Sequence, residues 1–489
     1  MNRIRVDLDR VTGAIDRHIF GGFIEHLGRC IYGGIYEPGS PLADEHGFRT
    51  DVLTALRRFG PSIVRYPGGN FVSGYRWRDG VGPVGERVPR TELAWNDIES
   101  NRFGTNEFIA WCRQLDTEPY LVVNCGDGDM REARDWVEYC NGATDSALVK
   151  LRRSHGYPDP HNVRYWGVGN EVDGHWQIGY KTPGEYARAF TEFGKVMKLT
   201  DPAIKLVASA VSDWKGEWLE RTKLLLEQAG DLVDYLSLHW YIGNPDDDFE
   251  AFMAVSELLE ARLSAFEGLV RSLALRNRLS RPVHLAVDEW NVWYRTYPQA
   301  VRDELKLEER YNLEDALATG LQLNAFIRHA GAVKMANIAQ LVNVIAPVFT
   351  RPDGLFLQTI FHPFELYSRT CGDRAVDVWW DGETFSGGEY QGVRTLDVTA
   401  TLDAAARQLV LHVVNRSRDE AMEAELSLAS GTFGGAVARV VNGPDIKAEN
   451  SFDAPDTVGT VERPVAAAGR TLKYAFEPHS VTALVCAVS

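Results

Sequence analysis

Two glutamates far apart in the chain end apolar runs and have the side chain needed for acid–base chemistry. Glu171 ends the run YWGVGNE, directly after Asn170, and Glu289 ends the run VHLAVDE. A glutamate at the end of a strand is most often only solvated, so neither residue indicates a function alone. Two facing carboxylates, however, can share the cleavage of a glycosidic bond. One protonates the departing oxygen, and the other attacks the anomeric carbon or activates water.

Other apolar runs also end in side chains that can hydrogen-bond a polyhydroxylated ligand. These further candidates are Glu25, His26, Arg65, Asn70, Asn124, His239, Tyr241, Asp288, Asn337 and Gln340. Asn170 could donate to a sugar hydroxyl near the reacting carbon, and the Tyr241 hydroxyl could hold Glu289 in its ionised form. Plainer interpretations remain open: Glu25 with His26 suits a structural ion pair equally well, His239-Trp240-Tyr241 could be packing, and RYPGGN could be only a tight turn.

The elements that would position these groups alternate regularly between residues 17 and 370. Eight β-rich runs are separated mostly by amphipathic segments with apolar residues at helical spacing. The runs are HIFGGFIEH, SIVRYPG, PYLVVNCG, RYWGVGNE, KLVASA, VDYLSLHWY, VHLAVDEW and VKMANIAQ. Eight parallel β-α units predict an α/β fold, the (β/α)8 TIM barrel, whose active site lies at the carboxyl ends of the strands. A doubly wound open sheet is the rival, but GGFIEHLG lacks the GxGxxG spacing expected after its first strand.

In such a barrel Glu171 ends the fourth strand and Glu289 the seventh, so the two side chains can face each other across the mouth. The acid needs a raised pKa, whereas the nucleophile must stay ionised. By strand alternation Asp288 should point away from the barrel axis if Glu289 points inward, which favours Glu289 as the second carboxylate.

The pattern changes after residue 370. From 371 to 489, runs such as QLVLHVVNRS and SVTALVCAVS alternate in polarity and are separated by turn residues. This pattern predicts a C-terminal antiparallel β-sandwich, jelly-roll-like in architecture. The opening RIRVDLD, within residues 1–16, also alternates and is expected to add a strand to the sandwich.

Composition limits the possible partners. The chain has 52 Lys and Arg against 68 Asp and Glu, a net charge of −16, which argues against nucleic acid because polyanion binding needs a basic surface. The apolar stretch AVKMANIAQLVNVIAPVF contains Lys334 and three amides, so no membrane span is predicted. The opening MNRIRVDLDR lacks the apolar region of a signal peptide, and the six cysteines show no CxxC spacing. We therefore expect a cytoplasmic protein with reduced thiols.

An ordered set of motifs closely resembles the α-L-arabinofuranosidases of glycoside hydrolase family 51. The set runs from about residue 17 to 370 and includes GGFIEHLGRCIYGGIYEPGSP, VRYPGGNFVSGYRWRDGVGP, LAWNDIESNRFGTNEF, YWGVGNEVDGHWQIGY, LSLHWY, VDEWNVWY and ANIAQLVNVIAP. The resemblance implies a retaining hydrolase on a (β/α)8 barrel with a β-sandwich. It also implies a homo-oligomer, often a hexamer, with no metal and no organic cofactor.

The resemblance also implies roles for individual residues. Glu171 matches the general acid/base and Glu289 the nucleophile, while His239 matches a supporting residue near the acid/base. The positions matching the shell that binds the arabinofuranosyl ring are Glu25, Asn70, Asn170, Tyr241 and Gln340. One departure is VNCGDGDM, where relatives often carry VNLGTG or VNLGTR. It places Cys125, Asp127 and Asp129 on a loop near the mouth and puts the leaving-group preference in doubt.

The expected activity is exo-acting release of terminal arabinose from arabinofuranosyl-containing oligosaccharides. One rival keeps the same site but changes the sugar: a β-xylosidase or endo-β-glucanase. A second rival, from a different class, is a non-catalytic sugar-binding protein. A metal-dependent isomerase or lyase using Glu25, His26, His239 and Glu289 is a third, although no HExxH motif is present.

Overall fold

Eight parallel strands close into a barrel in the computed structural model, which describes residues 2–294 and 307–489. The barrel strands are β2 (Gly21–Phe23), β3 (Ile63–Tyr66), β6 (Glu118–Val123), β7 (Tyr165–Val168), β8 (Lys205–Val211), β9 (Tyr235–Ile242), β10 (His284–Val292) and β11 (Val333–Ala339). They neighbour one another in chain order, and β11 pairs with β2 to close the ring. The predicted barrel and its eight strands are confirmed.

Ten α-helices lie within the described residues, most of them after a barrel strand. They are α1 (Thr50–Phe59), α2 (Thr105–Leu115), α3 (Met130–Asn141), α4 (Ala147–Ser154), α5 (Pro183–Thr200), α6 (Trp218–Ala229), α7 (Phe249–Ala254), α8 (Ser256–Asn277), α9 (Leu313–Arg328) and α10 (Phe361–Thr370). Local sequence sets their ends: at α5, Pro183 takes the first position and Glu185 accepts from the Thr182 backbone N at 2.9 Å. Helix α1 stops at Gly60, which adopts a left-handed φ of 78°.

The interior of the barrel is a packed core. Buried side chains fill it, all from barrel strands except Val72: Ile63, Val72, Tyr120, Val122, Tyr165, Val207, Tyr235, Ala286 and Met335. Because this layer blocks the centre of the barrel, a ligand can enter only above it, at the carboxyl ends of the strands where loops supply polar groups.

The rest of the chain forms a nine-stranded, mostly antiparallel sheet. Its strands are β1 (Asn2–Ala14), β14 (Arg374–Asp381), β17 (Leu396–Asp403), β18 (Gln408–Asn415), β19 (Met422–Leu428), β20 (Phe433–Asn442), β21 (Gly459–Val465), β22 (Thr471–Phe476) and β23 (Ser480–Val488). Strand β1 pairs antiparallel with β14 and parallel with β19. Strands from both halves of the sheet share one apolar core, as in a sandwich. The C-terminal antiparallel domain is thus confirmed, while the boundaries at 17, 370 and 371 stay predictions.

Three two-stranded hairpins complete the described structure. They are β4 (Arg90–Glu92) with β5 (Asp97–Glu99), β12 (Val348–Arg351) with β13 (Gly354–Leu357), and β15 (Thr384–Gly387) with β16 (Tyr390–Arg394). Among the described residues, no helix combines the length and the apolar character that crossing a membrane requires. All six cysteines are unpaired, as their spacing predicts.

Candidate active site

A cavity of about 630 Å³ opens at the carboxyl ends of the barrel strands. Seven of the residues singled out from the sequence line it: Glu25, Asn70, Glu171, His239, Tyr241, Glu289 and Gln340. One carboxylate oxygen of Glu171, one of Glu289 and a ring nitrogen of His239 lie within 4.8 Å of one another. The fold therefore brings together two carboxylates that are more than a hundred residues apart in the chain.

Glu171 lies three residues after β7 in a left-handed backbone conformation, with φ of 43°. A non-glycine residue at positive φ is uncommon, and such residues cluster at functional sites. One carboxylate oxygen accepts a hydrogen bond from the Trp176 indole N–H at 2.7 Å, and the other lies 2.9 Å from His239 Nδ1. Burial pushes the pKa of Glu171 upward, but the hydrogen bond and charge of His239 outweigh burial and hold that pKa below its ordinary value.

His239 carries the proton of this pair in the unliganded arrangement. Burial opposes its charge, yet the neighbouring carboxylates Glu289, Glu171 and Asp288 raise the pKa of His239 to about 9. The raised pKa expected of the acid is therefore not found on Glu171 itself. The raised pKa lies instead on His239, whose Nδ1 is 2.9 Å from a Glu171 oxygen.

Each carboxylate oxygen of Glu289 accepts a hydrogen bond, one from a cationic donor and the other from a neutral donor. Arg65 Nη1 donates to one oxygen at 2.6 Å, and the Tyr241 hydroxyl donates to the other at 2.9 Å. The Arg65 guanidinium is itself buried, and its Nη2 donates to Asn170 Oδ1 at 2.5 Å. These bonds fix the Glu289 carboxylate in place and stabilise its negative charge.

The prediction that Asp288 points away from the barrel axis is wrong. The pairing of β10 with β9 shifts register between Ala286 and Glu289, which breaks the simple alternation. Asp288 faces inward below Glu289, where it accepts hydrogen bonds from the Tyr120 hydroxyl at 2.9 Å and the Ser237 hydroxyl at 2.5 Å. Its oxygen also lies 3.5 Å from Arg65 Nε, so Asp288 belongs to the support beneath the site.

Glu25 faces the cavity from the loop after β2. Its oxygens accept hydrogen bonds from the Phe71 backbone N–H at 3.1 Å, the Trp95 indole N–H at 3.2 Å and the Gln340 amide at 3.0 Å. Burial is the largest influence and raises the pKa of Glu25 to about 8. His26 faces elsewhere, 2.9 Å from the Tyr66 hydroxyl and 2.7 Å from a Glu99 oxygen, so the suggested Glu25–His26 pair does not form.

The Pro-Gly-Gly segment after β3 is not merely a turn, because its backbone passes close to the side chains of Glu25 and Glu289. A Cβ on Gly68 would lie 2.5 Å from Glu25 Cγ, and one on Gly69 would lie 3.0 Å from a Glu289 oxygen. Only glycine allows the chain to pass this near to both carboxylates. Asn70, which follows, is placed on the cavity wall by this approach.

Several sequence candidates lie outside the cavity wall. Asn170 is buried next to it, and its amide nitrogen has no hydrogen-bond partner in the described structure. Asn337 donates to the Gly22 carbonyl at 2.9 Å and ties β11 to β2. Asn124 donates to the Tyr75 carbonyl at 3.1 Å and accepts from the backbone of the 126–128 turn.

The loop that departs from the family pattern is also set back from the cavity. Cys125 is buried and Asp129 caps α3 by accepting from the Glu132 backbone N–H at 2.9 Å. Asp127 accepts from the Asn124 amide at 2.7 Å and lines a smaller neighbouring cavity. The suggested effect of this loop on leaving-group preference therefore lacks a direct contact among the described residues.

Sequence reasoning missed two tryptophans that contact the carboxylates. Trp95 lies on the β4–β5 hairpin and Trp176 on the loop after β7, where it is 56% exposed. The usable signal was an aromatic residue next to polar and glycine residues, in LAWND and GHW, because indole rings can both stack on sugars and donate a hydrogen bond.

One group in the described residues has spacing that could hold a metal ion, namely Glu171, His239 and Glu289. The Arg65 guanidinium, 2.6 Å from Glu289, already supplies positive charge to one of these ligands. His26 lies outside the group. The predicted absence of a metal is left to experiment.

Two family models match the chain: an α-L-arabinofuranosidase 1 domain over residues 55–255 and an α-L-arabinofuranosidase C-terminal domain over residues 288–480. An intracellular exo-α-(1→5)-L-arabinofuranosidase of Halalkalibacterium halodurans is 42% identical over 434 residues, covering 87% of each chain.

Solved structures agree in fold. An α-L-arabinofuranosidase from Thermotoga maritima, crystallised as an arabinose complex, has a TM-score of 0.91 at 37% identity and covers 99% of each chain. A family 51 α-L-arabinofuranosidase from Bifidobacterium longum has a TM-score of 0.92 at 32% identity, again with 99% of each chain covered. With its barrel, its C-terminal sheet and its paired glutamates, this chain belongs to the α-L-arabinofuranosidases of glycoside hydrolase family 51.

Proposed function

We propose that this enzyme is a retaining, exo-acting α-L-arabinofuranosidase. It would release terminal non-reducing α-L-arabinofuranosyl units from arabino-oligosaccharides, arabinan or arabinoxylan fragments. The observation that carries the proposal is the short separation of Glu171 and Glu289, whose facing oxygens lie within 4.8 Å. Retaining enzymes hold their carboxyl groups about 5–5.5 Å apart, whereas inverting enzymes need about 6.5–9.5 Å to admit a water between them.

Glu289 acts as the nucleophile in this mechanism. Its carboxylate, oriented by Arg65 and Tyr241, attacks the anomeric carbon and forms a covalent glycosyl-enzyme while the glycosidic bond breaks. Glu171 protonates the departing oxygen, so the leaving group departs as a neutral alcohol. Glu171 then removes a proton from water, which hydrolyses the intermediate and frees Glu289.

His239 supports both steps by holding the proton that Glu171 needs. Its imidazolium lies 2.9 Å from Glu171 in the free site and can transfer that proton when the leaving oxygen develops negative charge. In the second half of the reaction the proton returns along the same path. His239 is thus a positioning and proton-storing residue.

The arabinofuranosyl ring is placed against Glu25, Asn70, Gln340 and the buried amide of Asn170. The free amide nitrogen of Asn170 and the free amide oxygen of Gln340 are buried polar atoms that have no partner in the described structure. Hydroxyl groups of a bound sugar would satisfy both, which removes the cost of leaving them unpaired. The relative from H. halodurans is named an intracellular exo-enzyme, which supports exo action and a cytoplasmic location here.

Glu289→Ala tests the proposal most simply. It should remove nearly all hydrolysis of 4-nitrophenyl α-L-arabinofuranoside, whereas Glu220→Ala, at a half-exposed position on α6, should leave the rate unchanged. Glu171→Ala should harm substrates with poor leaving groups far more than this activated one. Near-normal activity of Glu289→Ala would overturn the assignment.

The rival activities are separated by substrate and by chelation. Comparing the aryl α-L-arabinofuranoside with an aryl β-D-xyloside and a soluble glucan distinguishes the sugars, and binding without turnover would indicate a sugar-binding protein. Hydrolysis that persists in a chelator would exclude the metal-dependent alternative. Light scattering tests the homo-oligomer, expected from the family to be a hexamer.

A further inference from the structure

Two cations on one wall of the cavity have no use in the mechanism above. Lys215 lies on the loop after β8 and Arg262 in the second turn of α8, and both line the cavity. Within residues 2–294 and 307–489, neither side chain has a carboxylate oxygen within 4.0 Å. Two cations with no carboxylate partner among the described residues stand out in a protein whose net charge is −16.

Arg262 is held in place by two tryptophan rings. Its guanidinium carbon lies 4.7 Å from the centre of the Trp214 ring and 4.9 Å from that of the Trp240 ring. The two rings are nearly perpendicular, at 84°, so they form a corner that fixes the guanidinium by cation–π contact. None of its five N–H donors has a hydrogen-bond partner among the described residues, and a planar guanidinium matches a carboxylate with two parallel hydrogen bonds.

The loop that carries Lys215 is attached to the loop that carries Glu171. Asp173, two residues after Glu171, accepts hydrogen bonds from the Ser212 and Asp213 backbone N–H groups at 2.8 and 3.0 Å. This connection holds the β8 loop on the Glu171 side of the cavity. Because Glu171 protonates the departing oxygen, the leaving group must lie on that same side.

Two of the sugar-binding residues, Glu25 and Asn70, lie on the opposite side. Glu25 follows β2 and Asn70 follows β3, and in the order of the barrel these strands face β8 and β9. The cavity volume equals that of about twenty water molecules in the liquid. An arabinofuranosyl unit has about ten non-hydrogen atoms, so it leaves the β8–β9 side open for part of the leaving group.

We propose that the β8–β9 wall of the cavity binds a carboxylate-bearing leaving group, such as a hexuronate unit of an acidic oligosaccharide, through Arg262 and Lys215. The inference rests on the proposed hydrolase function and specifies its substrate class. One carboxylate, Asp213, lines the same wall. Its Oδ1 accepts a hydrogen bond from the Lys215 backbone N–H at 2.9 Å, so this oxygen is bonded within the turn that carries Lys215.

The test compares two aryl substrates that differ in charge at one position. They are 4-carboxyphenyl α-L-arabinofuranoside and its methyl ester, and the quantity measured is the ratio of their kcat/KM values. The ratio is determined for the wild type, Arg262→Met, Lys215→Met and Arg271→Met. Methionine keeps an unbranched apolar stem against the tryptophan rings. Arg271 is the matched control, because it lies on the same helix in an exposed pair with Glu267.

We expect the carboxylate-to-ester ratio to fall about three- to tenfold in Arg262→Met and less in the exposed Lys215→Met. It should stay at the wild-type value in Arg271→Met, and in the wild type it should fall as salt is added. An equal ratio in wild type, Arg262→Met and Lys215→Met would overturn the inference while leaving the proposed function intact. Wild type that cleaves neither substrate would instead overturn the proposed function, and this inference with it.

If Arg262→Met fails to fold, Lys215→Met and the salt dependence decide. A carboxylate-to-ester ratio that changes neither in Lys215→Met nor with added salt would contradict the proposal.

Discussion

Replacing His239 by asparagine is expected to move the alkaline limb of the kcat/KM–pH profile to lower pH. His239 Nδ1 lies 2.9 Å from a Glu171 oxygen and 3.4 Å from a Glu289 oxygen, and Nε2 lies 3.7 Å from an Asp288 oxygen. Burial opposes the imidazolium, but these carboxylates outweigh it and raise the pKa of His239 from 6.5 to about 9. The difference corresponds to about 3 kcal/mol of stabilisation of the protonated ring.

The Glu171–His239 pair therefore keeps its proton up to about pH 9. For a substrate with a poor alkyl leaving group, kcat/KM should stay high below that pH and fall as the pH rises through about 9, because the departing oxygen then finds no donor. Asparagine can retain a neutral N–H toward Glu171 but cannot hold the proton. The alkaline limb of His239→Asn is thus expected at lower pH.

The assay is kcat/KM against pH for wild type and His239→Asn, with methyl α-L-arabinofuranoside and with 4-nitrophenyl α-L-arabinofuranoside. The nitrophenyl substrate needs little protonation, so the two proteins should differ much less on it. Coinciding alkaline limbs on the methyl glycoside would refute the role of His239 as the proton store.

Two further substitutions test buried charges at the site: the cation Arg65, which contacts Asp288 and Glu289, and the carboxyl group of Glu25 on the cavity wall. Arg65→Met leaves the buried Asp288 and Glu289 without their cation, and should lower the free energy of unfolding by about 3–5 kcal/mol in a urea titration; a loss under about 1 kcal/mol would contradict this. For Glu25, burial raises the pKa from 4.5 to about 8, so the wild type should lose up to about 5 kcal/mol of stability as the pH rises between these values. Glu25→Gln should lack that loss of stability, because glutamine does not titrate. Gln340 can turn its unpaired amide oxygen toward the new amide. An equal pH dependence of stability in both proteins would show that the Glu25 pKa is not raised.

The barrel could be predicted because each of its strands is an apolar run next to a helix with a clear period. KLVASA and VKMANIAQ match β8 and β11 closely. The C-terminal sheet was harder, and the sequence did not predict its strands β14, β20, β21 and β22. Strands β21 and β22 are the two edges of the sheet, and most residues of β21 are exposed, so TVERPV lacks the buried alternation that identifies a strand.

Within the site, residue types at strand ends were predictable, but their relations were not. The inward Asp288 depends on a register shift that no local pattern signals. The Trp95 contact with Glu25 joins residues 70 positions apart through a hairpin. The raised pKa of His239 depends on three carboxylates, two from β10 and one from the loop after β7, and only the assembled barrel brings these to His239 on β9.

The anomeric configuration of the first sugar released is the most direct test of paired action by Glu171 and Glu289. Proton NMR during the early hydrolysis of 4-nitrophenyl α-L-arabinofuranoside reports it before mutarotation. Double displacement through Glu289 predicts that the α-anomer appears first. Initial release of the β-anomer would mean direct attack by water, and would contradict the covalent role of Glu289.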